Sequence, residues 1–94
     1  MRIMAGTTTV TTAGTRVQLS NTADPVKQLI VRVPSANVGS IYFGTVTVSS
    51  TVGLTLYKGD ELSFNLRNGS VLFSVLYADA ATSGDKLEWL AIVE

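Results

Sequence analysis

"VKQLIVRVPSANVGSIYFG", residues 26–44, decides the fold class. Within "QLIVRV" the apolar residues Leu29, Val31 and Val33 alternate with Gln28, Ile30 and Arg32, the period of two expected of a half-buried strand. "PSANVGS" then supplies Pro, Asn and Gly turn chemistry. A second alternating strand follows, with Ile41 and Phe43 directed inward and Tyr42 opposite them.

The same rhythm extends along the chain. Threonine and valine each occur 12 times, and such β-branched residues favour strands over helices. Turn signals recur at "AGT" 13–15, "NTADP" 21–25, "SSTVG" 49–53, "KGD" 58–60, "NGS" 68–70 and "TSGD" 82–85. Short strands at such regular spacing predict a single all-β domain, an antiparallel β-sandwich or jelly roll of seven to eight strands. Alternation places Val46, Val48, Leu54, Leu56, Leu62, Phe64, Leu66, Val71, Phe73, Val75 and Tyr77 in the core with the residues above. Asn68-Gly69 between two apolar segments predicts a type I′ hairpin that brings Leu66 near Phe73. The contiguous run Trp89 to Val93 reads as a strand buried on both faces.

Composition narrows the function classes. Of the 94 residues, 46% are hydrophobic and 15% charged, and seven basic residues balance seven acidic ones. A chain so sparing in charge leans toward assembly, and without a basic cluster it offers no electrostatic footprint for nucleic acid. The apolar patch near the N-terminus is too short for a secretory core of roughly 7–15 residues, and no run approaches the roughly 20 needed to cross a bilayer, so neither secretion nor a membrane partner is expected.

Histidine and cysteine are both absent. The commonest general base and the strongest nucleophile are therefore missing, and no catalytic residue, cofactor or metal site is expected. The acid-base neighbours in Lys58-Gly59-Asp60-Glu61 and Ser83-Gly84-Asp85-Lys86 read as solvated turns. Asp60, Glu61, Asp79 and Asp85 lack the spacing of a calcium loop.

What remains points to binding. Tyr42 and Tyr57 fall opposite Ile41 and Leu56, where amphipathic aromatics can anchor a protein interface, while Trp89 reads as core. Residues 1–12, "MRIMAGTTTVTT", read as an N-terminal arm preceding a sandwich of residues 13–94. Such an arm could add a strand to a neighbour through Thr7 to Val10, with Ile3 and Met4 as apolar plugs. Ile3, Met4, Thr7, Val10, Tyr42 and Tyr57 are thus the candidate partner-binding residues.

From Thr12 onward the chain resembles small virion proteins of tailed bacteriophages, of the head-decoration (cement) or minor structural type. The segments carrying the resemblance are "VTTAGTRVQLS", "VKQLIVRVPSANVGSIYFG", "SSTVGLTLYKGDELSFNL" and "TSGDKLEWLAIVE". It departs from that pattern in having no proline near Tyr57-Lys58-Gly59. The resemblance implies a non-enzymatic virion protein bound in many copies to the outer surface of the capsid, with the major capsid protein and copies of itself, as trimer or dimer, for partners. A carbohydrate- or receptor-binding module of a tail or spike, and a head-tail joining component, are the alternatives it leaves open.

Overall fold

The computed structural model describes residues 2–66 and 69–93. Its strands are β1 (Arg2–Thr9), β2 (Val17–Gln18), β3 (Pro25–Arg32), β4 (Ile41–Gly44), β5 (Leu54–Leu56), β6 (Glu61–Asn65), β7 (Val71–Leu72), β8 (Tyr77–Ala80) and β9 (Lys86–Val93). One sheet has the order β1-β9-β3-β6, with β7 also on β3, and the other has β2-β8-β4-β5. Every pairing is antiparallel. The fold is an all-β sandwich. Its partners are nested, first strand with last, second with penultimate, inward to the adjacent pair β4 and β5, which is the rolled-up double sheet of a jelly roll.

The core lies between the sheets. Phe73, Leu29, Ile41, Leu87, Val26 and Val31 are fully buried. The parity read from "QLIVRV" and "IYF" holds, because Leu29, Val31, Val33, Ile41 and Phe43 are all buried and Tyr42 is not.

Several expectations are corrected. The strands flanking Asn68-Gly69 are not hairpin partners: β6 and β7 both run antiparallel to β3, Gln28 opposite Asn65 and Val26 opposite Val71. They are successive segments along one neighbour, and Arg67 and Asn68 between them lie outside the described residues. Bonds to β3 replace the hairpin ladder, since Leu66 N–H donates to the Lys27 carbonyl at 2.8 Å and Phe73 N–H to the Asp24 carbonyl at 3.0 Å.

Past Phe73 the inward parity changes. Residues Phe73–Val75 form a 3₁₀ turn closed by Leu76 N–H on the Phe73 carbonyl at 3.2 Å. A turn of three residues inserted into a period of two moves the buried set to Leu76, Ala78 and Ala80, leaving Val75 exposed and Tyr77 half-buried.

Val46 and Leu54 are likewise exposed rather than inward. The chain leaves β4 at Gly44 and folds back so that Val48, alone among residues 45–53, is buried, packed within the loop against Gly44 and Gly53 and outside the main core. Gly53 closes this loop at φ 104°, where a Cβ would lie 2.7 Å from the Phe43 carbonyl oxygen. Leu62, Phe64 and Leu66 are half-buried on the edge strand and just beyond it, short of the full burial expected.

Residues 2–9 are placed as an edge strand rather than a free arm. β1 pairs residue for residue with β9 from Arg2 opposite Val93 to Thr9 opposite Lys86, and Val10 beyond it is fully buried. Thr8 stitches this strand to the other sheet by donating its hydroxyl to the Leu19 carbonyl at 3.0 Å and accepting from the Trp89 indole at 3.0 Å.

Candidate protein-interaction surface

Three strands build an apolar outer face on the larger sheet. Alternation sends Leu87, Trp89, Ala91 and Val93 of β9 toward the core and Glu88, Leu90 and Ile92 away from it. β9 is therefore paired at both edges yet covered on one face only, which corrects the expectation from its contiguous apolar run. Register aligns Ile3 with Ile92 and Ala5 with Leu90, and Ile30 of β3 with Leu90 from the other side. Ile3 is 71% exposed and Leu90 40% exposed. A shallow open depression on this face is lined by Ala5, Thr7, Ile30, Arg32, Glu88 and Leu90.

The patch has a polar border. Arg32 donates from Nε to Glu88 Oε1 at 2.9 Å, and its terminal nitrogen reaches the same oxygen at 2.9 Å. Because both groups remain largely in water, the pair contributes little to stability, about 0–1 kcal/mol. Glu61 lines the same depression, so the border carries two carboxylates against one guanidinium.

Beneath the patch the strand is made rigid. Trp89 lies across Gly6, where a Cβ would approach the indole Cζ2 to 2.7 Å, so this position on β1 requires glycine for close approach. The indole also meets the Phe73 ring edge-on, with centroids 4.7 Å apart and planes at 72°.

The six partner-binding candidates divide. Ile3 and Thr7 lie on the outer face of the larger sheet, whereas Met4 packs half-buried against the core and Val10 is wholly inside it. Alternation along β1 separates them, which an arm with no core beneath it would not do. Tyr42 is half-buried on the outside of the smaller sheet, opposite Asp79 and Thr55 in register, beside a shallow groove that includes Ser49 and Ser50. Tyr57 is 62% exposed in the turn that Asp60 closes by accepting its N–H at 2.8 Å. Ile30, Leu90 and Ile92 were not among the candidates, although Ile30 already stood out between Gln28 and Arg32 as an apolar residue on the polar parity.

Asp60, Asp79 and Asp85 serve as main-chain brackets. Asp85 is buried and accepts from Val38 N–H at 2.9 Å on one oxygen and Gly39 N–H at 2.7 Å on the other. Asn37 exchanges two bonds with the Lys86 backbone, donating from Nδ2 at 2.7 Å and accepting on Oδ1 at 3.0 Å. The turn in "NVGS" is thereby fastened to the start of β9. Buried Asp79 accepts from Gly14 N–H at 3.0 Å and Ala80 N–H at 2.8 Å, which anchors the crossing between sheets. Among the described residues, no three acidic side chains converge as metal ligands.

Comparison with protein-family models, with curated proteins and with solved structures gave no match.

Proposed function

We propose that the protein is a non-enzymatic structural component of a phage virion, a decoration or cement protein that binds the outside of the assembled head in many copies. The observation carrying this reading is the solvent-facing apolar strip of Ile3, Ala5, Ile30, Leu90 and Ile92 on the larger sheet. Exposed contiguous apolar surface of this kind favours protein contact over catalysis on a small molecule. The resemblance of the sequence to small virion proteins supplies the choice of partner, the major capsid protein.

Such a protein acts by mass action. Binding the assembled lattice and not its free subunits stabilises assembly by about 2.7 kcal/mol per site at a hundredfold excess over Kd. Repetition over a symmetric shell multiplies that increment.

Two measurements test the proposal. Quantitative mass spectrometry of particles carrying the protein should give a copy number comparable to the major capsid protein, and added protein should raise the heat resistance of heads that lack it. A dozen copies or fewer would favour a joining component. Binding to host glycans with no affinity for heads would replace the proposal by the receptor-binding alternative, for which the groove beside Tyr42 is the place to look.

A further inference from the structure

The four sheet edges are unequally protected. Among the described residues, β2 and β5 present two and three residues, and the fourth edge is made of two separate strands, β6 of five residues and β7 of two. β1 is eight residues long, unbroken in register, and contains neither proline nor lysine. Natural edge strands are usually blunted by shortness, bulges, proline or charge. This one has none of those devices beyond Arg2 at its end.

The parity of its free groups follows from the structure. Val10 N–H donates to the Asp85 carbonyl at 2.9 Å, and the same one-to-one register continues from Thr9 opposite Lys86 to Arg2 opposite Val93. In an antiparallel ladder alternate residues direct both main-chain groups to one neighbour. Even-numbered residues of β1 therefore bond β9, and Ile3, Ala5, Thr7 and Thr9 aim N–H and C=O at the open edge. Among the described residues, no backbone hydrogen bond outside the strand ladders runs to or from these four.

We propose that this edge pairs with β1 of a second copy of the chain, antiparallel about a two-fold axis through Gly6. That register sets Ile3 opposite the partner's Thr9 and Ala5 opposite the partner's Thr7, and it satisfies every outward group with about eight main-chain hydrogen bonds, two per pair. Centring on Ala5 instead would leave Thr9 without a partner among the described residues and form about six. The non-bonded pair on the axis, where Cα atoms approach to about 4.5 Å, falls on glycine.

Charge is compatible with the same arrangement, Arg2 being paired with Asp24 at 2.7 Å within its own chain. Arg2 is the only charged residue of β1, and the antiparallel register holds the two copies of it about 27 Å apart along the strands. Parallel in-register pairing would bring them within about 5 Å. The antiparallel pair also fuses the two larger sheets into one and joins the two apolar strips edge to edge.

This partner assignment uses the edge that borders the surface invoked for capsid binding and does not depend on that reading. Hydrogen-deuterium exchange on the full-length protein, from low micromolar to millimolar concentration, tests it together with sedimentation velocity. A dimer should form with rising concentration, and amides of Ile3, Ala5, Thr7 and Thr9 should slow by about tenfold or more while those of Met4, Gly6 and Thr8 stay slow throughout. Thr7→Pro, which removes an outward N–H and none used by β9, should abolish the dimer. Exchange independent of concentration, a monomer at millimolar concentration, a dimer that protects another surface, or a folded Thr7→Pro dimer of unchanged affinity would each overturn the pairing. A protein that binds heads while remaining monomeric would lose this inference and keep the cement reading.

Discussion

Replacing Asp85 by alanine isolates the bracket that holds the Asn37-Val38-Gly39 turn on β9. The side chain accepts two main-chain hydrogen bonds, at 2.9 Å and 2.7 Å, from a position that is 5% exposed. A hydrogen bond to a charged group contributes about 1.5–3 kcal/mol, and an N–H left buried without a partner adds its desolvation. The Val38 N–H bond is part-buried, so water can offset some of its loss. Gly39 is half-buried and bears most of the loss. Asp85→Ala should therefore cost about 2–4 kcal/mol, from a total of about 5–14 kcal/mol for a chain of this length. The Val10 N–H bond to the Asp85 carbonyl is backbone to backbone and survives the change. Asp85→Asn keeps one acceptor but turns an amide N–H toward the second donor, so its cost should be about half, 1–2 kcal/mol. Urea unfolding followed by far-ultraviolet dichroism measures both, as a lowered midpoint at unchanged slope. A loss below about 0.5 kcal/mol for the alanine variant, or an asparagine variant less stable than it, would refute the bracket.

Phe73→Ala should cost about 3–5 kcal/mol, because a fully buried ring in edge contact with Trp89 leaves a cavity; calorimetry checks the loss, and Trp89 fluorescence should shift with it. Thr8→Val keeps the volume but leaves both the Leu19 carbonyl and the Trp89 indole N–H without their partner, so thermal unfolding should show a loss of about 1.5–3 kcal/mol. Removing residues 2–9 strips β9 of one neighbour and should abolish cooperative unfolding by dichroism, where a free arm would leave it unchanged. Ile3→Ser with Leu90→Ser should change stability by no more than about 1–2 kcal/mol, since both side chains already meet water, yet weaken head binding at least tenfold in a co-sedimentation assay.

Most of the fold could be read wherever one physical rule acted alone. Alternation in "QLIVRV" and "IYF" gave the right inward residues because these strands are regular and covered on one face. The reading failed where a local device reset the count. The 3₁₀ turn at Phe73–Val75 exchanged the parity of the following strand, and no residue within "FSV" announces it. Asn68-Gly69 carried a strong hairpin signal, but turn chemistry specifies only that the chain bends. Which strand then receives the next segment is a tertiary matter, and here β3 receives both.

The exposed apolar strip was harder to read for a different reason. Ile3, Ile30 and Leu90 are separated by most of the chain, and only the nested pairing β1-β9-β3 aligns them in one strip. From sequence, Trp89 to Val93 suggested burial of both faces, because apolar residues on the two parities look alike whether the second layer covering them is part of the same chain or of another. A strand that is apolar on both parities and covered on one is the mark that the proposed lattice contact would explain. β9 carries that mark at the centre of the larger sheet, and β1 beside it exposes both the edge strip of the apolar face and a row of unpaired main-chain groups. The two features ask for different partners. An apolar face is satisfied by any complementary surface, such as a capsid shell, whereas an open edge is satisfied only by another strand in a defined register. A second copy can complete the edge without covering the face, so self-pairing and lattice binding are compatible on one sheet, and the dimer would present the shell with a strip twice as long.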